Sequence, residues 1–191
     1  MFDLDAFISE CRRLAGGAHG PKLVLDLMRA SIAEPESVAK AVAPQGPGVG
    51  ALDAPLFRSP ELTVLNVALR PGTVTIPHDH RMWAVIGIYQ GEEANTFFKR
   101  DGAGLAQANR RTIRSGEAIL LGEDVVHAIE NPLGAETLGL HVYGGDLLGA
   151  PRSMWDPRES REHPYDVPQF YAWSRELAAS RKTSARAAAA T

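Results

Sequence analysis

The chain has 191 residues, enough for one hydrophobic core, and its 45% hydrophobic and 23% charged residues are ordinary for a globular protein. With 20 Lys and Arg against 23 Asp and Glu the net charge is -3, which gives no bulk-charge support for binding nucleic acid or an anionic membrane. The single Cys11 excludes an intrachain disulfide framework and a thiolate-rich zinc site, so a cytoplasmic location is expected.

The opening residues, Met1-Phe2-Asp3-Leu4-Asp5, are acidic where a secretory leader is basic. No apolar run approaches the roughly 20 residues that span a bilayer. Three short helical patterns come first. Leu4, Phe7, Ile8, Cys11 and Leu14 recur at helical spacing, with Asp3 placed as N-cap and Gly16-Gly17 as the stop. Pro21 suits the first turn of a second helix whose stripe is Val24, Leu27, Met28 and Ile32. A third pattern runs from Pro35 through Val38, Ala39 and Val42. It ends in the breaker cluster Pro44-Gln45-Gly46-Pro47-Gly48.

From about residue 56 to 143 the pattern changes to strands and turns. Residues 62–69 and a long run at 74–89, broken only by Pro77, are rich in β-formers. Shorter candidates follow at 96–100, 111–113, 118–121, 125–130 and 137–143, separated by turns containing Gly, Asp or Pro. Many short strands at this spacing predict a β-sandwich or barrel. After Pro151 the chain is Pro- and charge-rich. Residues 169–180 are expected to form a last helix and the alanine-rich end to fray. The expected organisation is a helical segment at 1–48, a barrel at 49–150 and an extension at 151–191, folded as a single compact domain.

Histidines carry the chemistry. His78 and His80 stand two apart, which on a strand places both on one face, continued by Met82, Ala84, Ile86 and Ile88. Asp79, Arg81 and Trp83 take the other face, so Trp83 is expected to pack against the N-terminal helices. His127 follows in a strand with Val125 and Ile129 on its face. In residues 137–143, Leu138, Leu140 and Val142 form an apolar face, and His141 and Tyr143 share the opposite one with Gly139. An isolated His-x-His is more often surface or core histidine than a ligand pair, so its surroundings decide. Gly72 precedes His78 with five residues between, and Gly91 follows His80 by eleven. Gly116 precedes His127 with ten residues between, and Asn131 comes after three more.

This double pattern resembles the two motifs of the cupin superfamily and covers about half of the chain. The resemblance implies a double-stranded β-helix, a mainly β jelly-roll barrel with the N-terminal α-helices packed outside, and a metal site at His78, His80 and His127. Most cupins add a Glu ligand shortly after the second His; here those positions are Ala84 and Val85. A three-histidine cupin resembles the cysteine dioxygenase-like, or thiol dioxygenase, branch. The segments His127-Ala128-Ile129-Glu130-Asn131 and Leu140-His141-Val142-Tyr143 are similar to that branch's His-x-x-Glu-Asn and Ser-x-His-x-Tyr, with Gly139 in place of the serine.

The implied function is a non-haem Fe(II) dioxygenase that oxidises a small thiol to its sulfinate with O2. His141 and Tyr143 would act beside the metal, and Arg58 is the candidate cation for a substrate carboxylate. Arg81 falls on the wrong strand parity for that role. Three neutral imidazoles leave a divalent ion its full charge and open positions for an anionic ligand. They also suit zinc or nickel, so another metal-dependent hydrolase, isomerase or C–C oxygenase is the alternative reading. A non-catalytic small-molecule-binding cupin is the third. The expected partners are a small thiol and O2, with no nucleic acid and no membrane, on a monomer or homodimer.

Overall fold

The computed structural model describes residues 1–43, 54–102 and 104–189. The breaker cluster at 44–48, and with it the expected boundary at 48/49, lies outside them.

The three N-terminal helices form where the spacing predicts. In α1 (Leu4–Ala15) the Asp3 carboxylate accepts from the Ala6 N–H at 2.9 Å, closing the first turn. Pro21 opens α2 (Gly20–Ile32), and Pro35 opens α3 (Pro35–Val42). Their apolar stripes, centred on Cys11, Met28 and Val38, bury against Val64, Val85, Leu140 and Val142 of a β-sheet. Trp83 packs into the same cluster, as its strand parity predicts.

Eleven strands follow among the described residues: β1 (Phe57–Arg58), β2 (Thr63–Leu69), β3 (His78–Asp79), β4 (Ala84–Gln90), β5 (Glu92–Asp101), β6 (Gly104–Arg114), β7 (Ala118–Leu121), β8 (Val126–Glu130), β9 (Thr137–Tyr143), β10 (Ser153–Trp155) and β11 (Glu162–Pro164). They make two antiparallel sheets in the orders β1-β2-β9-β4-β7 and β11-β10-β3-β8-β5-β6. The pairing has a simple rule. Strands β2, β3, β4 and β5 pair in turn with β9, β8, β7 and β6. The chain is thus a two-stranded ribbon, turned back at the β5–β6 hairpin and wound across two facing sheets. That is the jelly roll of a double-stranded β-helix, the cupin-type fold the sequence predicts.

The strand register decides what lies inside. Leu65, Ala84, Ile86, Ile88, Ile113, Ile119 and Leu121 fill the barrel, while the alternate residues of β2, β4 and β9 face the helices. Gly87 faces the helices too; a Cβ there would fall 2.5 Å from Met28 Sδ, so a bare backbone lets α2 settle onto the sheet.

Three features differ from expectation. The run at 74–89 is not one strand. It divides into β3 and β4, which belong to opposite sheets, and the chain turns between them at Arg81 with φ 57. The strands expected at 96–100 and 111–113 are parts of the long hairpin β5–β6, whose outer residues are exposed and carry no apolar alternation to mark their length. The last helix, α4, runs over Val167–Ala189, longer than 169–180, and its helical backbone continues through the alanine-rich segment expected to fray.

Met28 is fully buried between α2 and the sheet. Met28→Ala is expected to lower the unfolding free energy by about 2–5 kcal/mol, read from the midpoint of urea denaturation. A loss under about 1 kcal/mol would mean that the helices are not docked on this sheet.

Candidate metal centre

The centre is built by one register. In the β3–β8 pair, His78 stands directly opposite His127, and their ring centroids are 4.8 Å apart. His80 follows two residues later, in the turn that leaves β3, and completes a triangle at 5.2 Å from His78 and 4.9 Å from His127. One ring nitrogen from each of the three lies within 4.8 Å of the other two, and all three residues are buried. Among the described residues no carboxylate joins the group.

The other ring nitrogens fix how these imidazoles point. His78 Nδ1 is 3.1 Å from the Ile76 carbonyl oxygen, which can only accept. His127 Nδ1 is 2.8 Å from Asn95 Oδ1, and Asn95 Nδ2 donates to Glu93 Oε1 at 2.9 Å, which fixes the amide's orientation. Both Nδ1 atoms are therefore N–H donors, and both Nε2 atoms present lone pairs. The His80 ring is held edge-on against Tyr143 at 5.0 Å. His127 Nε2 and His80 Nε2 face each other at 3.3 Å. Two nitrogens each about 2.1 Å from a common ion and about 100° apart would be about 3.2 Å from one another. The donor set therefore fits a first-row divalent ion.

Burial keeps these rings neutral. It holds His127 down at about 4 and His78 and His80 well below the ordinary imidazole value, helped by the neighbouring imidazoles and the Arg152 guanidinium. A neutral imidazole is the ligand form.

His141 and Tyr143, on β9, point inward together, with His141 Nδ1 at 3.2 Å from the Tyr143 hydroxyl. Burial pushes the Tyr143 phenol up, so it keeps its proton at neutral pH. Leu140 and Val142 face the helices, as the sequence predicts.

A cavity of about 460 Å³ opens onto this group. His78, His80, His141 and Tyr143 line its inner end. Arg58, the cation expected to hold a substrate carboxylate, does not line it. Its guanidinium makes a two-point pair with Asp146 at 2.8 and 2.9 Å on the outside of the barrel. Arg81 also points away, onto Asp79 and Glu162. Arg70, Arg152 and Arg175 do line the cavity; the buried one is Arg152, just before β10, which sequence reasoning missed. It is 8% exposed, its Nε donates to the Leu147 carbonyl oxygen at 3.2 Å, and its guanidinium stacks 3.3 Å from the centre of the Tyr165 ring. It has no carboxylate partner among the described residues. The aromatic wall is Tyr165, Phe170 and Tyr171 of the extension. The one signal that could have found this wall is the aromatic enrichment around Arg152 after a barrel that otherwise looks complete.

No protein-family model matches the sequence. Among solved structures, the chain is similar to an uncharacterised conserved protein with a double-stranded β-helix domain from Klebsiella pneumoniae, at 14% identity and a TM-score of 0.43, over 53% of this chain and 75% of that one. It is also similar to an oxalate decarboxylase variant from Bacillus subtilis, at 19% identity and a TM-score of 0.39, over 46% of this chain and 22% of that one. A third is an oxalate oxidase in complex with glycolate, at 20% identity and a TM-score of 0.40, over 44% of this chain and 42% of that one. The chain thus spans under half of either oxalate enzyme. The fold assignment rests on the strand pairing described above.

Removing one imidazole should empty the centre. His78→Ala and His127→Ala are each expected to abolish stoichiometric binding of added Fe(II) or Zn(II), measured by calorimetry, while far-UV circular dichroism stays that of the wild type. Because burial depresses these imidazoles, binding to the wild type should persist to about pH 5.5, below the free-imidazole value.

Proposed function

We propose that the chain is an iron-dependent dioxygenase of a small anionic thiol, catalysing R–SH + O2 → R–SO2⁻ + H⁺. Both oxygen atoms enter the product, sulfur is oxidised, and no further reductant is needed. One observation carries the reading: three buried, neutral imidazoles without a carboxylate stand beside an unpaired buried guanidinium. An environment of that charge favours an anionic substrate over a neutral one.

His78, His80 and His127 would hold the ion. Bound Fe(II) would supply the Lewis acidity that favours thiolate over thiol and the redox chemistry with O2. The rest falls to the chain. Arg152 would offer its N–H groups to a substrate carboxylate, and Tyr165 stacked against the guanidinium holds its orientation and shields one face from water. Phe170 packs edge-on to His78 at 5.1 Å and, with Tyr165, keeps water from the inner end. The Tyr143 hydroxyl, held by His141, is the polar group poised over His80 to bond the reacting atoms.

A second reading has one specific support. A cavity of about 460 Å³ lies within the roughly 300–1,000 Å³ range of drug-sized ligands, larger than a three-carbon thiol needs. A metal-dependent reaction of another class on a larger anion would also fit it.

The deciding experiment is metal analysis of the purified protein, followed by O2 uptake with cysteine, mercaptopropionate, cysteamine and mercaptosuccinate. Iron with thiol-dependent O2 consumption supports the first reading, and an acidic thiol should be preferred over cysteamine. Tight zinc with no thiol-dependent uptake after iron substitution would sink it in favour of the second. Arg152→Ala is expected to raise KM for the preferred thiol acid about 10- to 100-fold, the loss of a charge-assisted pair, with a smaller change in kcat. Arg58→Ala should leave both within about twofold.

A further inference from the structure

Two buried side-chain polar atoms have no hydrogen-bond partner among the described residues: Glu93 Oε2 and His141 Nε2. They face each other at 3.7 Å, and their side chains are 1% and 3% exposed. Leaving either unpaired in the barrel would cost about 1–3 kcal/mol, so two orphans aimed at one another are one interaction. Closing the gap by roughly 0.7 Å, well within side-chain motion, gives an ordinary N–H···O contact.

Neighbouring groups decide the direction of that contact. Glu93 Oε1 already accepts from Asn95 Nδ2, whose Oδ1 accepts from His127 Nδ1. On the other side, His141 Nδ1 meets the Tyr143 hydroxyl. With the Glu93–His141 contact closed, a line of side chains, His127–Asn95–Glu93–His141–Tyr143, links a metal-facing imidazole to the Tyr143 hydroxyl. Position 139, beside His141 on the same face, carries no side chain, and the space there is tight. A Cβ on Gly139 would sit 3.0 Å from the Gly87 carbonyl oxygen and 3.3 Å from His141 Nε2. Burial raises the Glu93 carboxyl to about 7 and holds His141 at about 3, so in mildly basic solution a carboxylate faces a neutral ring.

We infer that Glu93 is a positioning residue: its carboxylate accepts from His141 Nε2–H, fixes that tautomer, and makes His141 Nδ1 the acceptor of the Tyr143 hydroxyl proton. Tyr143 then turns its oxygen lone pairs, rather than its proton, toward the cavity. The opposite tautomer would put an N–H on the Tyr143 oxygen and leave the phenol proton free to point at substrate. The consequence for catalysis rests on the reading of Tyr143 given above; the tautomer itself does not.

The test is the side-chain ¹⁵N–¹H correlation spectrum of the metal-free protein at about pH 8, above the Glu93 value, with His141 assigned by its loss in His141→Gln. The Nε2–H pattern is expected for His141 in the wild type. In Glu93→Gln, Asn95 still donates to the amide oxygen, so the amide nitrogen faces His141 and the pattern should switch to Nδ1–H. An Nδ1–H pattern in the wild type, or no switch in a folded Glu93→Gln, overturns the assignment. Should that variant fail to fold, the wild-type spectrum decides alone. With an active thiol substrate, Glu93→Gln should lower kcat about 10- to 100-fold with KM within about twofold, and Glu93→Asp should recover part of it. Wild-type kcat in Glu93→Gln would overturn the positioning role. A wild type without thiol-dependent O2 uptake defeats the proposed reaction while the spectrum still tests Glu93.

Discussion

His78 stands opposite His127 because β3 and β8 run antiparallel in one register, and a slip of one residue would turn one of the imidazoles out of the barrel. That register is not held by β3 itself, which has only two residues. It is held by Asp79, the residue between the two histidines of the first motif. Asp79 is fully buried and points the opposite way. Its Oδ2 pairs with Arg81 and Arg100 at 2.7 Å each, and its Oδ1 accepts from the Ser153 N–H at 2.7 Å. A buried carboxylate with three such partners is well compensated, and removing either arginine would leave it a single ion-pair partner. The turn carrying His80, the hairpin strand carrying Arg100 and the strand that follows Arg152 are therefore tied at a single anion.

The charge inside the barrel follows from that arrangement. Arg152 is drawn inward by its neighbour Ser153 on Asp79, yet its own guanidinium meets a carbonyl and an aromatic face rather than an acid. Its field adds to desolvation in keeping His78 and His80 unprotonated. A cation that stays charged thus protects the lone pairs of the ligands next to it. Both buried acids near them are turned to other partners, Asp79 to Arg81, Arg100 and the Ser153 N–H and Glu93 toward Asn95 and His141, so the centre keeps its demand for an anion.

Much of this is legible in the sequence, and the failures share a cause. Strands β2, β7 and β9 announce themselves by runs of β-formers between turn residues, and the paired histidine motifs lie among them. The β6 strand is exposed over most of its length, so no apolar rhythm records it. β3 and β4 read as one run because no glycine stands between them and the break is a backbone reversal at Arg81, a residue type that rarely adopts positive φ. Arg152, Tyr165 and Phe170 follow the last barrel strand, where local pattern has no means of showing that the chain returns to the mouth. Glu93 and Asn95 look like ordinary polar residues after a turn. Only the two-residue period of β5, read with the knowledge that this strand's alternate face is inward, marks them as interior. The resemblance suggests Arg58 for the substrate carboxylate, but β1 is an edge strand of two residues and the Arg58 side chain pairs with Asp146 instead.

The return of the chain after Pro151 changes what the barrel can do. β10 joins the sheet beside β3, with Met154 opposite His78, and the Trp155 N–H bonds the Pro77 carbonyl oxygen. α4 then crosses the mouth, where Ser174 Oγ accepts from the Ile76 N–H and Phe170 sits on the His78 ring. Ile76 is thus held through its N–H by α4 and through its carbonyl oxygen by His78 Nδ1. The orientation of one metal-facing imidazole consequently depends on the docking of the last helix. A barrel cut after β9 would retain three histidines but lose the buried Arg152, the aromatic wall and the anchor of the segment that aims His78. The extension is part of the site in the same physical sense as the strands.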